Sequence, residues 1–208
     1  LRSIKIMAKF VRDNNIDLVH THLTRATYIG YIVGRITKRP VVSTVHVLTK
    51  DAAYRYLPGK NKHFVVTVSN FVRQALVDRG VSPDKMFTVY NGTEFDGSIP
   101  QSESTREEVR AELGIPLDST VIGQLGRVDD FKGAHLTVAA VKSVVQENPD
   151  SYFVLIGFSE PEYAEKLRAI ASKDGVGDRL VQLGVRNDVS RLMSALDIVT
   201  LPSVTEAC

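Results

Sequence analysis

Short runs of β-branched residues alternate with longer segments of helical periodicity along nearly the whole chain, and this alternation constrains the fold more than any other feature. Ile4, Met7, Ala8 and Val11 form a helical stripe. "DLVHTH" (17–22) reads as a short strand, "RATYIGYIVGRIT" (25–37) as a helix, and "RPVVSTVH" (39–46) as a strand begun by Pro40. "HFVVTVS" (63–69) is a strand, "NFVRQALVDRG" (70–80) a helix capped by Ser69 or Asn70 and stopped by Gly80, and "KMFTVYNG" (85–92) a strand ending in a turn. After the polar stretch "TEFDGSIPQSES" (93–104) the rhythm restarts. Helices are expected over 105–114, 133–147, 161–175 and 188–197, and strands over 120–126, 151–157, 179–184 and 198–202.

Such alternation predicts an α/β fold with parallel sheets covered by helices on both faces. The composition break predicts a hinge between two units, residues 1–98 and 99–208. The chain opens in a helix with no strand before it and stops just after a strand with no helix to cover it. Both sheets are therefore expected to be incomplete, and the chain to be an internal piece of a longer protein.

Charge and cysteine content exclude several function classes. A net charge of +2 demands neither nucleic acid nor an acidic partner, though charge gathered on one face leaves room for a peripheral contact with anionic lipid. The one cysteine, Cys208, allows no disulfide within the chain and no thiol-rich metal site, so a reducing compartment, most simply the cytosol, is expected. No apolar run approaches the roughly 20 residues that a membrane-spanning helix requires.

The segment "GRVDDFKG" (126–133) sits at an expected strand-to-helix junction. In a parallel sheet, ligands bind at the carboxyl ends of strands, where helix N-termini offer free amides and a positive dipole end to phosphate. Gly126 and Gly133 permit close backbone approach, Arg127 can fork onto phosphate oxygens, and Lys132 adds a point charge. The competing reading is a pair of solvated loop cations neutralised by Asp129 and Asp130. No dinucleotide fingerprint, P-loop, Asp-x-Asp or H-E-x-x-H motif occurs. His20 and His22 flank Thr21 and so share one strand face, which favours a structural or substrate-contact role over a metal.

These motifs occur in a familiar order. "DLVHTHLTRA", "PVVSTVHV", "VVTVSNFVRQAL" and "VYNGTEFD", followed by "GQLGRVDDFKGAHLTVAAV", "YFVLIG" and "DRLVQLGVRNDVSRLMSALDIVTLPSVTEA", resemble the retaining glycosyltransferases of family 4, over nearly the whole chain. The resemblance implies a GT-B fold: two Rossmann-like domains facing a cleft, the first on the acceptor side and the second binding a nucleotide sugar. It implies that Arg127 and Lys132 grip the donor's diphosphate, and that Glu206 contacts the donor sugar's hydroxyls. His46 would reach the reaction centre from the first domain, and the backbone around Val185 and Arg186 would read the base. Gly126 and Gly157 would line the donor site.

The implied reaction moves a sugar from a nucleoside diphosphate sugar to a glycan or lipid-linked acceptor, with retention, without a metal and without a cofactor. A GT-B nucleotide-sugar epimerase and a nucleotide-binding fragment without turnover remain alternatives. The sequence departs from the family pattern at Phe131, where the family usually has Glu, at Ala207, where Gly commonly follows the glutamate, and in "IGFSE" (156–160), a less Gly-rich turn. These departures bear on the identity of sugar and base rather than on the fold.

Overall fold

The computed structural model describes residues 2–47, 53–92, 102–204 and 206. Two compact units divide the chain, one of residues 1–93 together with 206–208 and the other of residues 94–205. The polar stretch read as a hinge lies mostly outside the described residues.

The first unit opens with α1 (Arg2–Asp13), β1 (Val19–His22), α2 (Thr24–Thr37) and β2 (Val41–Val45). It continues with α3 (Ala53–Tyr56), β3 (His63–Thr67), α4 (Asn70–Asp78) and β4 (Met86–Thr88). The four strands pair in chain order, all parallel. Ser69 is the cap of α4: its hydroxyl accepts from the Val72 amide at 3.2 Å, satisfying a donor the helix cannot. Val45, Val65, Val72, Leu76 and Met86 pack into one apolar cluster that joins α4 to the sheet. The short α3 carries no periodic signal and was not anticipated from the sequence. The strand expected over 85–92 stops at Thr88, with one further ladder bond from the Val89 amide to the Thr67 carbonyl.

A polar thread runs through this sheet. The hydroxyls of Thr21 and Ser43 lie 2.6 Å apart, and Ser43 Oγ lies 2.8 Å from Nε2 of His63, which is fully buried. Its Nδ1 has no hydrogen-bond partner among the described residues, and burial holds the imidazole down at a pKa of about 4.

The second unit comprises α5 (Glu103–Leu113), β5 (Thr120–Leu125), α6 (Ala134–Glu147) and β6 (Ser151–Ile156). It ends with α7 (Pro161–Lys173), β7 (Leu180–Gly184), α8 (Val189–Met193) and β8 (Ile198–Thr200). Its parallel strands run in the order β7-β6-β5-β8, so the chain order reverses between β5 and β8. α6 and α7 share one apolar cluster with Phe153 and Leu155, while Val109 of α5 and Leu192 of α8 share another with Val121 and Val154. Successive strand residues thus face opposite helical layers, as parallel-sheet geometry requires.

The helix expected over 188–197 ends at Met193, because the amides of Ala195 and Leu196 bond three residues back and tighten the last turn. Asp197 then locks onto β5: its amide donates to the Val121 carbonyl at 2.9 Å and its carboxylate accepts from the Val121 amide at 2.7 Å. Burial pushes this carboxyl up, but the Val121 amide and the guanidinium groups of Arg106 and Arg110 outweigh it and hold its pKa below the usual range. No helix among the described residues is long and apolar enough to cross a membrane.

Candidate functional site

Three glycines with positive φ stand at the carboxyl edge of the second sheet. Gly126, Gly157 and Gly184 follow or end β5, β6 and β7, and their backbones continue the ladder. The Gly126 amide donates to the Ile156 carbonyl at 3.0 Å, and the Gly157 amide to the Gly184 carbonyl at 2.8 Å. At Gly157, with φ of 145°, an added Cβ would lie 1.8 Å from the Gly126 carbonyl oxygen. Gly157 must lack a side chain for the loops to lie this close, whereas at Gly126 a Cβ would meet no atom within 4 Å and its φ of 116° is what favours glycine.

The "GRVDDFKG" loop folds back on itself around Asp129. One carboxylate oxygen accepts from the Lys132 amide at 2.8 Å, and the other lies 3.3 Å from the Arg127 guanidinium. Arg127 is 61% exposed in its side chain, so the partnership with Asp129 that the competing reading supposed is present but solvated. Asp130 is drawn the other way: it accepts from the Tyr163 hydroxyl at 2.6 Å and lies 3.2 Å from His135. Burial and this bond together push the Tyr163 phenol well above its ordinary pKa.

Two further contacts fix where the loop enters α6. Gly133, with φ of 72°, stands at the N-cap, and a Cβ there would lie 2.1 Å from the Pro202 carbonyl oxygen. The Val204 amide donates to the Phe131 carbonyl at 3.0 Å. The segment after β8 is thereby laced, through Val204, to the loop that carries Lys132; Glu206 is half-buried and groups with the first unit. The Val204 contact spans the point where strand order reverses, the place where open parallel sheets form a ligand crevice.

Sequence reasoning passed over Gln124. Only 2% exposed in the middle of β5, it donates to the Lys132 carbonyl at 2.8 Å and accepts from the Thr137 hydroxyl at 2.6 Å. It pins the cationic loop to both its parent strand and its following helix. The available signal was a lone amide inside the apolar run "TVIGQL", since a buried polar side chain requires partners.

The remaining predicted residues fall as follows. Val185 is exposed just after β7. The Arg186 guanidinium is taken up by Asp188, at 2.7 Å for both oxygens, and by Glu112 at 2.9 Å. Bonding to Arg186 holds the Asp188 carboxyl at a pKa of about 2. The side chain of Arg186 therefore ties its loop to α5. In the first unit His46 follows β2, half-buried, with its Nε2 2.8 Å from Nδ1 of His22. His20 Nε2 lies 2.8 Å from the Thr44 hydroxyl, and its ring centroid lies 4.4 Å from that of His22. Among the described residues no group of three or more His, Cys, Asp or Glu side chains has the arrangement of a metal site.

Residues 1–97 match the family model of Glycosyltransferase Family 4, and residues 105–208 match that of Glycosyl transferases group 1. The chain belongs to the group 1, family 4 glycosyltransferases. This glycosyltransferase chain is 26% identical, over 99% of its own length and 57% of the relative's, to an Escherichia coli UDP-Gal:alpha-D-GlcNAc-diphosphoundecaprenol alpha-1,3-galactosyltransferase. Among solved structures it matches a glycosyltransferase from Rickettsia africae at a TM-score of 0.85 and 21% identity, covering 100% of this chain and 57% of that one. It also matches HepE from Anabaena in complex with UDP at a TM-score of 0.80 and 23% identity, covering 97% and 57%. These likenesses establish the GT-B fold expected from the sequence, and the glycosyltransferase chain spans a little over half the length of the relatives it matches.

Proposed function

We propose that the protein transfers a sugar, with retention of configuration and without a metal, from a nucleoside diphosphate sugar to a glycan or lipid-linked acceptor. The observation that carries this reading is the placement of Arg127 and Lys132 on one loop between β5 and α6, at the point of strand reversal, in a chain of glycosyltransferase sequence. Breaking the bond between sugar and diphosphate builds negative charge on the leaving group. Cations and helix amides fixed in advance stabilise that charge without reorganising.

Arg127 is available for the task. An exposed ion pair such as Arg127–Asp129 contributes little, so an incoming diphosphate can replace the carboxylate at small cost. Lys132 supplies the second charge, with its backbone held at both ends by Asp129 and Gln124. Glu206 is assigned to the donor sugar's hydroxyls, Gly126 and Gly157 to close approach of the donor, and the Val185–Arg186 backbone to the base. His46 is assigned to the reaction centre. Uridine is the favoured base, since the galactosyltransferase relative is named for UDP-Gal and the HepE structure holds UDP. The units 1–98 and 99–208 serve the acceptor and the donor, in a compartment read as cytosolic.

In the full-length protein, Arg127→Ala or Lys132→Ala should lower kcat by about 10²- to 10³-fold. Chelator should leave the reaction running. Wild-type turnover in both variants removes the proposed role of the loop, and loss of activity with chelator means that a metal carries the charge.

A further inference from the structure

The first sheet carries its histidines on two faces. His63 lies in the buried thread with Ser43, whereas His20 and His22, two apart in β1, share a face with Thr44 and the following His46. In the parallel register His22 stands opposite Thr44, so His46 lies one pleat beyond, at the carboxyl edge of the sheet. There His22 Nδ1 and His46 Nε2 are 2.8 Å apart and their rings stack with centroids 5.1 Å apart. A nitrogen pair at that distance shares one proton: one ring donates and the other accepts. The bond occupies Nε2 of His46 and couples the tautomers of the two rings, because a neutral imidazole carries a single N–H: when His22 donates, His46 keeps its proton on Nδ1, and when His46 donates, its Nδ1 is an acceptor.

We propose that His22 is a positioning residue for His46, holding its Nε2 so that Nδ1 is offered, in one orientation, to a sugar hydroxyl at the reaction centre. This rests on the reading of His46 given above. The sequence reading left His20 and His22 between structural and substrate-contact roles, and the geometry divides them. His20 is tied back to Thr44 within the sheet, while His22 reaches forward to the residue that ends the strand. The side chains lining the adjacent cavity from α1 and α2 are apolar (Ile6, Met7, Phe10, Ile29 and Val33 among them), so on that side no charged group competes for the His22 ring.

Two measurements test the proposal. With the 208-residue chain labelled with ¹⁵N-histidine, a through-hydrogen-bond ¹⁵N–¹⁵N coupling should join His22 Nδ1 to His46 Nε2. His22→Phe, which keeps a ring but no nitrogen, should abolish the coupling. His22→Asn places an amide near the position of Nδ1 that can again bond to His46 Nε2. In the full-length enzyme, His22→Phe should lower kcat by about 10- to 100-fold with the donor KM unchanged, and His22→Asn should recover most of it.

Absence of the coupling overturns the inference, as does equal kcat in wild type and a folded His22→Phe protein. Should His46→Ala turn over normally while the coupling persists, the reading of His46 fails instead, and the positioning role falls with it. Loss of turnover in His46→Ala alongside full activity in His22→Phe refutes only the present inference.

Discussion

Acidification should unfold the first unit through one buried imidazole. His63 is fully buried, its Nε2 contacts the Ser43 hydroxyl and its Nδ1 has no hydrogen-bond partner among the described residues, so burial disfavours a second proton there. Burial holds its folded-state pKa at about 4, against 6.5 for an exposed histidine. Above pH 6.5 both states are neutral at this site and it adds no pH dependence. Between 6.5 and 4 the unfolded chain takes up a proton that the folded chain refuses, and stability falls as pH falls. Below 4 the loss is complete. At 1.36 kcal/mol per pH unit the full loss is about 3 kcal/mol, of which about 1.4 has gone by pH 5.5 and about 2.6 by pH 4.5.

Urea denaturation followed by far-ultraviolet circular dichroism between pH 7.5 and 4.5 would measure this. The comparison is His63→Gln, which keeps a polar group for Ser43 but cannot titrate. His20 is also held below its ordinary pKa, chiefly by burial and then by His22 and His46. Its contribution is common to wild type and variant and cancels in the difference. Asp188, Asp197 and Glu112, with depressed carboxyl pKa values, lose their stabilisation as pH falls below the ordinary carboxylate range, mostly beneath this window. The difference in stability loss between the two proteins should approach 2–3 kcal/mol by pH 4.5. Parallel curves would refute the argument, since they would mean that His63 accepts its proton in the folded state at no cost.

Two further substitutions probe the cationic loop. Gly133→Ala combines a strained left-handed φ of 72° with a Cβ 2.1 Å from the Pro202 carbonyl oxygen. It should destabilise the second unit by about 2 kcal/mol or more and weaken UDP binding at least tenfold by calorimetry; wild-type values for both would show that the loop can shift freely. Gln124→Leu leaves the Lys132 carbonyl and the Thr137 hydroxyl without their shared partner. It should cost about 1–3 kcal/mol in urea denaturation and raise the donor KM in the full-length enzyme, and an unchanged KM would mean that the loop holds its shape without Gln124.

The local signals that the sequence carries are those that act over a few residues. Gly114, in the left-handed region, closes α5 as expected, Ser69 caps α4, and Pro161 starts α7, because caps and backbone preferences need no distant partner. Element ends drifted where a neighbouring strand decided them. α8 ends in a tightened turn that leads into Asp197, which is held by Val121, a residue 76 positions away that no local pattern reports. Likewise nothing in "TVIGQL" says that Gln124 reaches Lys132, or in "IGFSE" that Phe158 and Phe131 line one pocket.

By itself, the sequence determined the alternating strands and helices, the two parallel sheets and the loop that bears Arg127 and Lys132, for periodicity and backbone preference are properties of the chain read in order. Tertiary structure alone decided which side chains meet. It set the reversal of strand order that brings Pro202 against Gly133, the division of the histidines between a buried thread and an exposed pair, and the capture of Arg186 by Asp188 and Glu112. Hydrogen bonds and close packing act over a few ångströms, and residues far apart in the chain reach that range only after the sheets have formed.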